Sequence, residues 1–438
     1  MSLRLAAGIA ALCALPALGQ TYIKATVAQF GSFGYSTAMS GNTLVVGAPF
    51  ESSGATGVNG NPNDGSAPAS GAAYVYVWDG VSWTLQAYLK SAVSHAGMHF
   101  GNAVAISGDT IVVGAEFESS NATGVNGDQT NTLLNKSGAA FVFVRSGTQW
   151  TQQAYLKPPI ARLSANNITG FLFGVSVAID VDTIVVGANE ENSSATGVNS
   201  DPTPTSPTFA GAAYVFTRTA GVWSQQAYLK SYSPTKDLFF GQTVAVSGDL
   251  VAVGGEDQTS AVGINNLPGV TGGIYNQGEV TVFSRSGTTW TKEAYIKTPV
   301  LHAGSQFGGG GLALQGSRLA VGAPFESSDA NGVDVGVFGP YRQAGAVYTF
   351  TRSGGVWTQE SYVKPSFVAP GAVFGYSAAL DTNNLLVGSL FESSASTGIN
   401  GNPADTSLGN SGAAYQFTRS GGAWTQQEYI KAPHPQAS

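Results

Sequence analysis

The chain has 438 residues, of which 58 are glycine and only 10% are charged, with a net charge of −7 and a single cysteine. Hydrophobic residues make up 43% and aromatics 11%, too many for a disordered chain, and glycine without a three-residue period excludes collagen. The acidic balance, with no run of Lys or Arg, argues against a nucleic-acid partner, because phosphate binding needs clustered cations.

In chain order, residues 1–19 read as a secretory signal peptide. Arg4 gives a short basic start, Leu5 to Leu18 is apolar and uncharged, and Ala17-Leu18-Gly19 offers small residues for cleavage before Gln20. Cleavage would remove Cys13, so the exported chain is expected to rely on packing rather than disulfides. No later stretch is apolar enough to span a bilayer as a helix. Residues 20–438 are expected to form a single domain.

That domain is one unit written six times. Phe-Gly recurs at Phe33-Gly34, Phe100-Gly101, Phe173-Gly174, Phe240-Gly241, Phe307-Gly308 and Phe374-Gly375, at spacings of 67 residues with a single 73. Within the second unit, Ala103 to Ile106 predicts a first strand and Ser107-Gly108-Asp109 a tight turn. Thr110 to Val113 predicts a second strand, Ala139 to Val144 a third and Trp150 to Leu156 a fourth. No run carries helical periodicity. Removing the 21-residue loop between strands two and three leaves 46 residues, the size of a four-stranded propeller blade. Such a sheet cannot bury both faces alone, so the units must stack, and a closed ring leaves only short edges. The fold class is therefore all-β: a β-propeller of six four-stranded blades. A surplus copy of strand four, Tyr22-Ile23-Lys24, precedes the first unit and is expected to help close the ring by joining the last sheet.

Phe-Gly followed by Gly-Ala-Pro, complete at Gly47-Ala48-Pro49 and Gly322-Ala323-Pro324, resembles the FG-GAP repeat of integrin α-subunit propellers. Segments such as Thr123-Gly124-Val125-Asn126-Gly127 are similar to bacterial secreted FG-GAP proteins. The resemblance implies an extracellular ligand-binding propeller. The Asp-rich calcium loop of integrin blades lies between strands one and two, where this chain has tight turns such as Ser40-Gly41-Asn42.

Strand alternation puts the two tight turns at one end of each blade, and the long loop and the link to the next blade at the other. Long loops draw attention as candidate binding elements. Each contains Gly-Val/Ile-Asn/Asp, as in Gly57-Val58-Asn59. A glutamate precedes it at Glu51, Glu118, Glu191, Glu326 and Glu392, with Gln258 as the fourth unit's counterpart. An aspartate follows at Asp64, Asp128, Asp201 and Asp405. One reading is structural, with Gly and Asn accepting left-handed backbone and Asn bonding its own backbone. The other is a hard-cation site for Ca²⁺, with donors among Glu51, Asn59, Asn61, Asp64, Glu118, Asn126, Asp128, Glu191, Asn199, Asp201, Glu392, Asn400, Asn402 and Asp405. No other cofactor is indicated.

The repeated Lys24, Lys90, Lys157, Lys230, Lys297, Lys364 and Lys431 at the end of strand four read as a solvated rim, as do Arg145, Arg218, Arg285, Arg352 and Arg419. The unit tryptophans read as packing between blades. His95 and His99 lack a third metal ligand, and no HExxH, GxSxG or phosphate loop is present. Asn121-Ala122-Thr123 and Asn167-Ile168-Thr169 are glycosylation sequons. The expected function is a secreted, non-catalytic propeller for binding or adhesion, recognising an extracellular protein or glycan through its long-loop face. A structural matrix protein and a polysaccharide-active enzyme are the alternatives; the divergent fourth unit, with Glu256 and Asp257, would be the first place to look for catalysis.

Overall fold

The computed structural model describes residues 23–25, 31–163, 170–205, 209–256, 261–266, 276–300, 303–335, 343–367 and 369–437. The proposed signal peptide, Tyr22, Asp257, Gln258 and the sequon at Asn167 lie outside them. No helix among the described residues is long and apolar enough to cross a membrane.

Among the described residues, twenty-four strands form six four-stranded antiparallel sheets, arranged as a β-propeller with no helices. The first blade holds β1 (Ser36–Ser40), β2 (Thr43–Ala48), β3 (Ala72–Trp78) and β4 (Trp83–Leu89). The second holds β5 (Phe100–Ser107), β6 (Thr110–Ala115), β7 (Ala139–Ser146) and β8 (Gln149–Leu156). In the third are β9 (Val177–Asp180), β10 (Thr183–Ala188), β11 (Ala212–Thr219) and β12 (Val222–Leu229). The fourth comprises β13 (Thr243–Ser247), β14 (Leu250–Gly255), β15 (Glu279–Ser286) and β16 (Thr289–Ile296). The fifth comprises β17 (Leu312–Gln315), β18 (Arg318–Ala323), β19 (Ala346–Ser353) and β20 (Val356–Val363), and the sixth β21 (Phe374–Leu380), β22 (Asn384–Ser389), β23 (Ala413–Ser420) and β24 (Ala423–Ile430). Every sheet follows chain order, the usual outcome when consecutive strands pair with one another. The described chain falls into two compact units, Ile23–Val253 with Ser284–Thr291, and Gly254–Phe283 with Lys292–Ser438.

The sequence pattern explains both the core and the tie between blades. In the first unit, Phe100 is fully buried between the blades, packed with Val45, Val75 and Leu89 of one blade and Phe141 and Phe143 of the next. Burying such a ring contributes about 1.5–3 kcal/mol. Gly101 follows at φ 91, and a Cβ there would collide with the Ala72 carbonyl of the preceding blade. Phe supplies the core and Gly the close approach, which is why the two recur together. Trp150 Nε1 donates to Gln86 Oε1 of the preceding blade at 2.8 Å, and Trp223 repeats this with Gln153 at 2.7 Å. In the second unit Trp357 donates to Glu293 and Trp424 to Glu360. From the second blade on, the unit tryptophans are therefore ties between blades, as their spacing predicts, while Trp83 packs on Trp78 of its own blade.

The surplus strand-four copy behaves differently from expectation. Among the described residues the last sheet contains β21 to β24. Ile23 and Ala25 instead pack on the first blade, against Tyr74, Tyr76 and Tyr88, and the Tyr76 hydroxyl donates to the Lys24 carbonyl at 3.0 Å. Ile23 thus covers the first blade's aromatic layer as Leu89 covers the second's. The contact combines side-chain packing with one bond to the Lys24 carbonyl, and residues 23–25 carry no strand pairing.

Candidate functional site

The roots of the long loops bring the predicted glutamates together with the lysines that close strand four. In the second blade, Glu118 is 2% exposed and Lys157 fully buried. Lys157 Nζ donates to Glu118 Oε2 at 2.7 Å, to Ser137 Oγ at 2.6 Å and to the Ser120 carbonyl at 3.1 Å. All three ammonium protons are used. The other carboxylate oxygen accepts from the Ser120 amide at 2.9 Å, and the Ser120 and Tyr155 hydroxyls bond at 2.7 Å. The same pair forms at Lys90–Glu51, Lys230–Glu191, Lys364–Glu326 and Lys431–Glu392, at 2.6 to 3.1 Å. Burial pushes the ammoniums of Lys90, Lys157, Lys230 and Lys364 below their ordinary value, and the neighbouring glutamate pulls each back up.

These lysines are therefore not a solvated rim. In five blades the root of the long loop folds back over the end of strand four and encloses the lysine, a non-local event that a strand-end position does not announce. The signal available in the sequence was numerical: a Glu and a Lys occur together in five units. The fourth unit departs from the pattern. There Glu279 and Thr281, both fully buried, stand where the third blade has Ala212 and Tyr214.

Gly-Val-Asn staples the loop to the same strand. Gly124 and Asn126 are left-handed, at φ 70 and 59, and Val125 bridges antiparallel to Leu156. The Lys157 amide donates to the Gly124 carbonyl and the Asn126 amide to the Tyr155 carbonyl, each at 2.8 Å. The Asn126 carboxamide oxygen accepts from the Tyr155 amide at 2.9 Å. Asn therefore bonds strand four rather than its own backbone. Asn59, Asn199, Asn265, Asp334 and Asn400 make the same bond to Tyr88, Tyr228, Tyr295, Tyr362 and Tyr429.

The tips hold the remaining candidates. Asn61 Oδ1 accepts from the Asn63 amide, Asp64 from Ser66, Asn402 from Ala404 and Asp405 from Ser407. Asp128 and Asp201 accept from the amide and hydroxyl of Thr130 and Thr203. These are self-capping Asx turns. Their hydrogen bonds hold the carboxyls of Asp128, Asp201 and Asp405 below the usual aspartate value. The glutamates thus point inward to lysines while the aspartates close exposed turns. Among the described residues no group of three or more His, Cys, Asp or Glu is placed to share a metal ion.

In the third blade the long link contributes Arg162. Its guanidinium reaches Asn192 Oδ1 at 3.1 Å and the Pro202 carbonyl at 2.8 Å, and approaches Glu191 at 3.5 Å. At the opposite, tight-turn end, Arg145 lies 5.1 Å from the Trp150 ring and bonds Asp109 at 2.7 Å. Arg218 repeats this on Trp223 and Asp182, and Arg285 on Trp290 and Asp249. These arginines are half-buried stacking groups, not a freely solvated rim.

A four-stranded blade repeated around a ring, with a Phe-Gly tie between blades, defines a repeat β-propeller. The family model described as "FG-GAP repeat" matches residues 27–76 and 83–143, the first two blades, and the other four blades repeat their plan, consistent with an FG-GAP propeller. No curated protein matches the sequence. Among solved structures, the chain is similar to a Trypanosoma rangeli sialidase in complex with 2,3-difluorosialic acid, at 9% identity and a TM-score of 0.34. That match covers 90% of this chain and 53% of the sialidase, so this chain spans about half its length.

Proposed function

We propose that the protein is exported and acts as a non-catalytic binding or adhesion propeller, using the long-loop end of its blades to hold an extracellular protein or glycan. The observation that carries this reading is the rigidity of the loop roots. Loops of this length are ordinarily costly to order, yet five carry a buried ion pair and a left-handed staple. A chain that fixes its loops so thoroughly presents their outer residues as a preformed surface, which lowers the entropic cost of binding. The signal-like residues 1–19 and the FG-GAP repeats support an exterior location. The long-loop carboxylates counted as calcium donors are engaged with lysines or in Asx turns, which supports a surface that binds without a resident metal.

The test compares the two ends of the blades. Purified protein is applied to intact cells of the producing strain and bound protein is measured by flow cytometry. Substituting exposed long-loop residues (Asn61→Ala, Asp128→Ala and Asp405→Ala together) should abolish binding. Substituting the exposed tight-turn valines Val81, Val222 and Val356 with Ser should leave it intact. Equal binding by both sets of variants, or no binding by the unaltered protein, would overturn the reading.

A further inference from the structure

Tyr22-Ile23-Lys24 repeats, letter for letter, the ends of the outer strands of the fourth and sixth blades, Tyr295-Ile296-Lys297 and Tyr429-Ile430-Lys431. Its place repeats theirs as well. In the second blade, Leu89 at the end of β4 packs into a seat of aromatic rings, Phe100, Phe141, Phe143 and Tyr155. In the third, Leu156 at the end of β8 joins Phe173, Tyr214, Phe216 and Tyr228. The first blade builds the same seat from Phe33, Tyr74, Tyr76 and Tyr88, with Phe33 edge-on to Tyr74 at 5.3 Å and to Tyr76 at 6.2 Å. Among the described residues no strand precedes this blade in the chain, and Ile23 takes the seat instead.

The copy is held less firmly than the original. Leu89 belongs to a hydrogen-bonded strand, is fully buried and is followed by the enclosed Lys90. Residues 23–25 carry no strand pairing, Ile23 is half-buried and Lys24 is exposed, with the Tyr76 hydroxyl donating to the Lys24 carbonyl. At the far end of the chain stands the complementary irregularity. Leu89, Leu156, Leu229, Ile296 and Val363 are fully buried, whereas Ile430, at the same position of β24, is only half-buried. Each copy of the chain therefore carries a seat filled by a loose substitute, and an authentic strand end that is not fully covered.

We propose that the segment around Ile23 is a self-mimicking plug, which keeps the aromatic seat of the first blade closed to the Ile430 end of a second copy of this chain. Repeat arrays need capped ends, because the face that would receive the next unit is apolar and adhesive when bare. Here the bare face would be a ring-lined seat whose fitting side chain, an aliphatic residue between Tyr and Lys, is present on every copy. Seat and key lie at different places on the molecule, so the contact is head-to-tail and need not stop at two copies. A plug with the same aliphatic side chain competes for the same rings. It needs no strand pairing to win, since a tethered segment acts at an effective concentration on the order of millimolar, above that of a second copy in dilute solution.

Sedimentation velocity of the whole exported protein over a range of concentrations tests this, with circular dichroism to confirm that each variant keeps its β-sheet. The unaltered protein should sediment as a monomer. Ile23→Asp puts a charge among the rings, expels the plug and should shift the protein to dimer mass and above as concentration rises. Adding Ile430→Asp to that variant should return it to monomer, because the key is spoiled while the seat stays open. Ile23→Leu, which installs the side chain found in the seat of the second blade, should remain monomeric. If Ile23→Asp fails to fold, Ile23→Ser empties the seat without placing a charge there and should show the same shift. A monomer at every concentration in the folded Ile23→Asp or Ile23→Ser variant overturns the plug, even where its melting temperature falls. Assembly that survives Ile430→Asp overturns it as well, as does assembly of the unaltered protein.

Discussion

In the second blade the root of the long loop hides Glu118 and Lys157 behind β8, while ten residues further on Asp128 closes an exposed turn with Thr130. Both carry carboxylates that a sequence reader would count as cation donors. At the root, the charge is removed from water and must be matched by hydrogen bonds on every side. At the tip, water does the matching and the aspartate only shapes a turn. The comparison teaches that repetition within this chain marks what the blade needs in order to fold. Recognition is better sought where the units differ.

The largest expected effect breaks all the roots together. Burial, reinforced by the nearby glutamates, holds the root tyrosines Tyr88, Tyr155, Tyr228 and Tyr362 well above the ordinary tyrosine value of 10, and burial pushes Tyr76 up to about 12. Their neutral forms stabilise the fold fully below pH 10, and that contribution is lost as pH rises through the folded-state values. The buried lysines have the opposite sign: held below their ordinary 10.5, they make stability rise as pH approaches that value. Alkaline titration should therefore show phenolate absorbance appearing together with loss of β-sheet circular dichroism above pH 10. Tyrosine ionisation well before unfolding would refute enclosed roots.

Next in size is a single broken root. Glu118→Ala leaves Lys157 buried without its counter-charge and should cost about 3–5 kcal/mol in urea unfolding. Asp128→Ala should leave the midpoint unchanged; equal losses would erase the distinction between root and tip. Replacing both partners, as Glu118→Leu with Lys157→Met, should cost less than removing Glu118 alone, because no orphan charge remains. Asn126→Ala sharpens the contrast further. It removes the bond to the Tyr155 amide and places alanine at a left-handed position, for about 1–2 kcal/mol by the same measurement. The smallest effect concerns calcium. With root carboxylates on lysines and tip carboxylates in Asx turns, millimolar Ca²⁺ should leave the melting temperature where it was, by differential scanning calorimetry.

Much of this fold was legible because it repeats. Phe33-Gly34 and its five copies mark the blade spacing, and the predicted strands of the second unit, such as Thr110 to Val113, grew by only a few residues in β5 to β8. Gly-Val-Asn was recognisable as a left-handed corner, though its partner, the Tyr155 amide, lies 29 residues away. Lys157 misled because a lysine ending a strand is ordinarily wet, and only the returning loop encloses it. Ile23 misled because a strand-like triplet suggested a hydrogen-bonded edge, whereas packing on Tyr74 and Tyr76 holds it by its side chain.

The enclosed lysines also bear on survival outside the cell. Lys90, Lys157, Lys230, Lys297, Lys364 and Lys431 are each 2% exposed or less. A trypsin-like protease must draw several residues of backbone around its cleavage point into an extended cleft, and these points sit inside folded sheets. The blade design thus withdraws most of its lysine cleavage points from digestion for as long as the blades stay folded.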